Sequence, residues 1–364
     1  MTVSLSIAAP TGCTLDVVLV HEPASDAASD APDEQARPDA EPDAGIDASA
    51  EAGLADVTSE SAPDVSLVDA GSDAAAQQWT RVYVPTGSDL RSVWGSSSRD
   101  VWIVGDRGTI LHWTGTVWSP VASPIRDAFY RDVWGSSAND VWAVGLEPIG
   151  NLVIAHYDGR AWTRVPLAPT RYSPRAVYGT SANDAWIVGG PLEFAGDTVL
   201  HWDGVRWSLM HTGGAPTRYL DIGGTGANDL WIVALDDTLL QWNGAFQLDA
   251  ATLPVAVVSF ELGLWARGPQ DFWVTGDAGV LYRYTSGAWT SVDTGTDNLL
   301  RNVWGLNTGT MWAVGNRGTI ARFDGASWSV LEDTTPRTLL SVWGASATDA
   351  WAVGEGGTVL HSVR

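Results

Sequence analysis

Between Arg91 and Val121 the apolar positions fall into four short runs, R-S-V-W-G (91–95), D-V-W-I-V-G (100–105), T-I-L-H-W (109–113) and V-W-S-P-V (117–121), separated by Gly, Ser, Asp and Thr. Within each run apolar and polar residues alternate with a period of two rather than about 3.6, which predicts strands rather than helices. We term them A to D. The B–C connection is D-R-G here and D-A-G, N-R-G or E-G-G in later copies, and the C–D connection is T-G, D-G, N-G or S-G. Asp-Gly and Asn-Gly at the C–D connection predict a type I′ hairpin, because both central residues of that turn need positive φ.

This unit recurs seven times. Two tryptophans eight residues apart mark it in five copies, Trp94/Trp102, Trp134/Trp142, Trp265/Trp273, Trp304/Trp312 and Trp343/Trp351. In the other two, Trp186 follows Tyr178 and Trp231 follows Gly223 at the same spacing. The second tryptophan advances by 40, 44, 45, 42, 39 and 39 residues from copy to copy. A period near 40 built from four strands predicts an all-β fold, a seven-bladed β-propeller with four antiparallel strands per blade over residues 78–364. All 21 tryptophans fall in register, as core residues do, and burying each contributes on the order of 2–3 kcal/mol.

The seventh copy stops after its strand C, at His361-Ser362-Val363-Arg364, whereas Trp79-Thr80-Arg81-Val82 repeats the strand D sequence Trp162-Thr163-Arg164-Val165. The N-terminal strand is therefore expected to complete the last blade and close the ring, leaving no unpaired edge between the termini.

Charge divides the chain. Residues 14–77 hold 16 Asp or Glu against Arg37 alone, with no Trp, Tyr or Phe. Such a segment cannot bury enough apolar surface to offset its ordering entropy, so a disordered acidic linker is expected over 14–77. It carries about −15 of the net −23, which leaves the repeats only mildly acidic. An acidic surface argues against nucleic acid as a partner. Cys13, the only cysteine, follows a short uncharged apolar stretch ending in small residues (1–13). That arrangement resembles a bacterial lipoprotein signal, which implies lipidation at Cys13, attachment to a membrane by lipid only, and an extracytoplasmic, cell-envelope or secreted location. The alternative is an unmodified cysteine in an unstructured N-terminus.

Two in-register polar sets invite a chemical reading. Asp100, Asp140, Asp184, Asp229, Asp271 and Asp349 precede the second tryptophan by two, and His112, His156, His201 and His361 share one strand C position. Equivalent positions around a ring stand too far apart to converge on one metal. We expect the aspartates to accept backbone N–H bonds at the A–B turn and the histidines to be structural. No cofactor or metal motif is found.

The pattern V-W-G-x4-D-x-W-x-V-G-x2-G-T-[IV]-x-H-W-[DNT]-G-x2-W, covering residues 79–364, resembles the BNR and Asp-box group of propellers, in particular the photosystem-assembly-factor-like type. Asp203-Gly204-Val205-Arg206-Trp207 and Asp324-Gly325-Ala326-Ser327-Trp328 resemble a shortened Asp box. The resemblance implies the fold; propellers of this kind host unrelated activities. Sialidases of the group would imply an arginine triad, a Tyr/Glu nucleophile pair and an Asp acid/base. The loop carboxylates Asp127, Glu147, Glu193, Glu261 and Glu332 form no motif pairing two of them on one sugar.

Length variation falls on the D–A and B–C loops, which share one face, and loops on a rigid scaffold carry function. Arg91, Arg131, Arg175 and Arg301 stand three residues before the first tryptophan or its substitute, at the start of strand A on that face. Two readings stand: a partial arginine ring for an anionic ligand, or arginines each paired with a nearby carboxylate. Tyr130, Tyr172, Phe194 and Tyr219, with Phe129, are candidate aromatic contacts. The sequence thus points to a non-catalytic, monomeric binding or assembly scaffold for a protein or glycan partner, with a sialidase-like carbohydrate hydrolase as the alternative.

Overall fold

The computed structural model describes residues 78–363 apart from 168–171, 192–197, 212–217, 236–237, 255–261 and 307–308. The 1–13 signal, Cys13, the 14–77 linker, Phe194, Glu193 and Glu261 lie outside the described residues.

The repeats fold as seven four-stranded antiparallel sheets. In blade 1, strand A is Leu90–Ser97, B is Asp100–Gly105, C is Ile110–Trp113 and D is Trp118–Pro120. In the last blade Trp79–Arg81 pairs antiparallel with Thr358–Ser362, Trp79 opposite Ser362 and Arg81 opposite Leu360, so the N-terminal strand closes the ring as its sequence predicts. The second tryptophans form the core between neighbouring blades: Trp102, Trp142, Trp186, Trp231, Trp312 and Trp351 are among the largest fully buried side chains.

The type I′ turn is found at a different hairpin from the one expected. At the B–C connection both central residues have positive φ, Arg107 at 58° and Gly108 at 68°, Ala278 and Gly279, Arg317 and Gly318, Gly356 and Gly357. At most C–D turns only the glycine does, as at Gly159 and Gly204, and where Asp158, Asp203 or Asp324 precedes it the aspartate sets the turn with its side chain: Asp158 Oδ1 accepts the Arg160 and Ala161 N–H groups at 2.9 and 3.0 Å. An aspartate that holds two backbone donors stabilises a four-residue loop without needing positive φ itself. The B–C glycine is needed twice over, because the next D–A loop presses on it: a Cβ at Gly318 would lie 2.5 Å from the Thr335 backbone.

Strand A is innermost, and its V-W-G motif acts across the blade boundary. A Cβ on Gly135 would come 2.6 Å from the Trp94 ring of the preceding blade; on Gly179, 2.5 Å from Trp134; on Gly95, 2.7 Å from Trp343; on Gly305, 2.8 Å from Trp265. Each indole thus lies on the bare backbone of the next blade. Where the indole is missing the requirement lapses. Blade 4 carries Gly223, and the residue that would face it in blade 5 is Ala266 instead of glycine, with Leu264 filling the space over Gly223.

A β-bulge also recurs in strand A. The register skips one residue between Leu90 and Ser92, Tyr130 and Asp132, Pro174 and Ala176, Tyr219 and Asp221, Leu300 and Asn302, and Leu339 and Ser341. The skipped residues are Arg91, Arg131, Arg175, Leu220, Arg301 and Leu340. A bulge re-aims side chains, so two consecutive residues can face the axis. The closing glycine of W-x-V-G makes room for it: a Cβ on Gly105 would lie 2.1 Å from the Asp89 carbonyl oxygen, and on Gly145 2.2 Å from that of Phe129.

Gly179→Ala is expected to destabilise the protein by about 1–3 kcal/mol, because the new methyl would come 2.5 Å from the Trp134 ring and 2.6 Å from the Asp184 carbonyl oxygen. Ala266→Gly, facing Gly223, is expected to cost less than about 1 kcal/mol. Urea denaturation of the two variants checks the contrast, and equal losses would remove the indole-on-glycine account.

Candidate binding site at the channel mouth

The bulged positions meet. Arg91, Arg131, Arg175 and Arg301 line one cavity of about 130 Å³ at the axis, with Leu220, Leu262 and Leu340 at the equivalent places of the remaining blades. One residue further along, Ser92, Asp132, Ala176, Asp221, Gly263, Asn302 and Ser341 form a second tier of the same cavity.

The four arginines do not share one environment. Arg91 is held by Asp106 through Nε (3.1 Å) and Nη2 (2.8 Å), and by Asp89 at 3.2 Å, which matches the carboxylate-paired reading. Its pKa is raised, above all by the Asp106 hydrogen bond. Arg301 Nε donates to Asn316 Oδ1 at 3.0 Å. Arg131 and Arg175 are half-buried and make no hydrogen bond or ion pair with any described residue. Burial lowers the pKa of Arg131, and the Arg91 guanidinium lowers it further; burial lowers that of Arg175, and Arg131 and Arg218 add to it. Two guanidiniums desolvated and crowded by like charge are stabilised by any anion that reaches them. Arg218 escapes the sequence pattern because it is not at the bulged position.

The aromatic candidates sit elsewhere. Tyr130, Tyr172 and Tyr219 are buried, at 0%, 4% and 0% exposure, in the cores between blades, and present no ring face at the mouth. Tyr130 hydroxyl and Ser123 Oγ lie 2.9 Å apart. The cause is the pleat: Tyr130 and Tyr219 directly precede the bulge, Tyr172 stands two residues before Pro174, which does so in blade 3, and all three are on the side that points into the blade rather than to the axis. Phe129 is 37% exposed.

The second tier fastens blade to blade. Asp132 Oδ1 accepts the Ser92 hydroxyl (2.6 Å) and Oδ2 the Val177 N–H of the next blade (2.8 Å). Asp221 accepts its neighbour Ile222 N–H (2.8 Å) and Leu264 N–H of the next blade (2.7 Å). Asn302 Oδ1 accepts Val342 N–H at 3.1 Å, and Ser341 Oγ accepts Val93 N–H at 3.3 Å. Sequence reading missed Asp132 and Asp221; the signal was a mostly polar position directly after the arginines, inside an otherwise apolar strand. Burial pushes Asp132 up to about 6, against hydrogen bonds from Ser92, Val177 and Val133. Burial, and then the field of Asp132, pushes Asp221 up to about 8.

Of the loop carboxylates weighed for glycoside cleavage, the three that lie among the described residues, Asp127, Glu147 and Glu332, are not brought together at this mouth. Glu147 is tied to Arg164 at 2.7 Å and to Asn151 at 2.9 Å, Glu332 accepts from Thr296, and neither they nor Asp127 line the cavity.

The in-register Asp and His sets pair at the far end of strand B, with partners different from those expected of the aspartates. Asp100, Asp140 and Asp184 accept hydroxyls from Ser96, Ser136 and Thr180 and meet His112, His156 and His201 Nε2 at 2.6, 2.6 and 2.8 Å, rather than taking backbone N–H groups. Each imidazole stacks on the buried second tryptophan, His112 on Trp102 at 3.8 Å and His361 on Trp351 at 3.5 Å. In blade 5 Arg283 takes the histidine's place, bonded to Asp271 and lying over Trp273 at 5.1 Å. Burial works to raise the Asp100 and Asp140 carboxyls, but bonds from the histidine and serine outweigh it and hold both below the ordinary range. Among the described residues no cluster of three His, Cys, Asp or Glu could hold a metal ion.

No family model matches the sequence, and no curated protein matches it. Solved structures of similar fold include YCF48 bound to D1 peptide (TM-score 0.63, 17% identity, covering 79% of this chain and 97% of that one). Streptogramin B lyase matches with TM-score 0.66 and 14% identity over 79% of this chain and 98% of that one. The WD40 propeller domain of Doa1 matches with TM-score 0.61 and 14% identity over 79% and 97%. At such identities the likeness shows the fold alone, a seven-bladed β-propeller.

Asp132 and Asp221 bind protons more readily in the folded chain than at the ordinary Asp value of about 3.9. Their contribution to stability is therefore complete below about pH 4 and is lost as pH rises through about 6 and about 8. The depressed Asp100 and Asp140 act only below the ordinary carboxylate range and leave this window alone. Asp221→Asn is expected to gain stability relative to wild type between about pH 5 and about pH 9, measured by urea denaturation; a pH-independent difference would refute the assignment.

Proposed function

We propose that the chain is a non-catalytic binding scaffold whose channel mouth captures an anionic segment of a protein partner. The observation that carries this reading is the pair Arg131 and Arg175, two half-buried guanidiniums that make no hydrogen bond or ion pair with a described carboxylate, in a cavity where strands from all seven blades converge. Planar guanidiniums match carboxylates in a bidentate manner, and a partly dehydrated mouth strengthens the attraction. That YCF48, of similar fold, has been solved with a peptide supports a peptide as the class of ligand. A short poly-glutamate peptide is expected to bind with an affinity that falls as salt rises, and Arg131→Ala/Arg175→Ala is expected to weaken it by about tenfold or more. Unchanged affinity in isothermal titration would sink the reading; binding of a sialylated glycan instead of the peptide would redirect it to acidic sugars.

We further propose that the protein acts outside the cytoplasm on a lipid anchor at Cys13, which the apolar stretch before that residue supports. Intact mass of the protein expressed in a Gram-negative host is expected to show diacylglycerol lost in Cys13→Ser; identical masses apart from the substitution, with no lipid on either, would reject the anchor.

A further inference from the structure

Beyond the polar tier the channel widens into a second chamber, of about 340 Å³. Ser92, Asp132, Asp221, Asn302 and Ser341 line both cavities, so the floor of the mouth is the ceiling of the chamber. The wall is aromatic. Trp94, Trp134, Tyr178, Trp265, Trp304 and Trp343 surround it, and at Gly223 in blade 4, which brings no ring, Leu264 completes the wall. These rings are not used up by packing. An edge of each indole rests on the next blade's glycine, yet all except Trp343 stay half-buried. Neighbouring rings stand apart and tilted, Trp134 and Tyr178 with centroids 6.2 Å apart, Trp304 and Trp343 6.0 Å apart.

The chemistry of this wall has one sign. Aromatic faces carry negative quadrupole density and attract cations, and the ceiling adds two carboxyl groups. The lining includes no Arg, Lys or His. A hard metal ion needs several oxygen ligands converging on it, and no such cluster stands among the described residues. A cation clothed in methyl groups fits better, since its surface is apolar while its charge is spread over that surface. The volume lies at the low end for small-molecule sites, enough for a compact head group and little more.

We propose that this chamber binds a small organic cation of the quaternary or alkylammonium class, its methyl groups against the ring of tryptophans and its charge balanced by Asp132 and Asp221. The site is distinct from the anionic site at the mouth, although the two share the polar tier: its wall is built from the next residues of the same strands and selects the opposite charge.

Benzyltrimethylammonium and its uncharged isostere neopentylbenzene, titrated into the full chain by calorimetry, test the proposal. The cation is expected to bind about tenfold or more tightly than the isostere, and more tightly at about pH 9 than at about pH 5, because its partners must be ionised. Asp132→Asn/Asp221→Asn is expected to lose that preference for charge while a melting curve confirms folding. If the double variant does not fold, Trp265→Leu, which removes one ring of the wall and its contact with Gly305 but no charge, is expected to weaken the cation by a similar factor, with a melting curve again confirming folding. Arg131→Ala/Arg175→Ala should leave cation affinity unchanged or improve it, whatever it does to the glutamate peptide. Equal affinity for cation and isostere, no binding by the wild type, or full cation affinity in either the folded Asp variant or Trp265→Leu would each overturn the proposal.

Discussion

The fold rests on a contact between an indole and a stretch of bare backbone. Each strand A tryptophan lies on the strand A glycine of the next blade, 2.5–2.8 Å from where a Cβ would stand at Gly135, Gly179, Gly305 and Gly95, and 3.1 Å at Gly344. Because that contact sets how closely innermost strands approach, it also sets the bore of the channel. The exception shows that this is a constraint between blades and not a property of a motif: Gly223 supplies no indole, and the chain there tolerates Ala266 and fills the gap with Leu264.

The bulge one turn of pleat earlier has an equal share in what the protein can do. A regular strand would send consecutive residues to opposite faces, placing either the arginines or the polar tier at the axis and the other set inside the blade. Skipping a residue lets both face the axis. The arginine tier supplies charge for a ligand, and the tier beneath it fastens the blades through Asp132, Asp221, Asn302 and Ser341 to backbone N–H groups of their neighbours. Binding and cohesion are thus carried by adjacent residues of one strand.

Much of this was legible in the sequence. Strand B of the first repeat is found at Asp100–Gly105, where its alternation put it, and the identity of Trp79-Thr80-Arg81-Val82 with a strand D gave the closure of the ring. The spacing before the first tryptophan located the arginines. What one dimension could not convey was pairing across blades. The distinction between Arg91, held by Asp106, and Arg131, held by nothing described, depends on which loop folds over which residue. The tyrosines misled for a related reason: proximity in sequence to a bulge says little about which side of the sheet a ring takes. The Asp-Gly turns misled because an aspartate can shape a hairpin through its carboxylate as well as through positive φ.

Sequence reasoning placed function in the segments that interrupt the repeat, on the ground that in-register residues belong to the scaffold. The ring geometry qualifies that rule by radius. A position on strand C recurs far from its copies, so His112, His156, His201 and His361 each end in a private pair with one aspartate and one indole. A position on strand A recurs around a channel narrow enough for one cavity to touch all seven copies. Only there does repetition produce convergence. The informative residues are therefore those that keep register while changing identity: Arg, Leu, Ser, Asp, Asn and Gly at two successive steps of the innermost strand break the sevenfold symmetry, and an asymmetric ligand can be read only where the symmetry is broken.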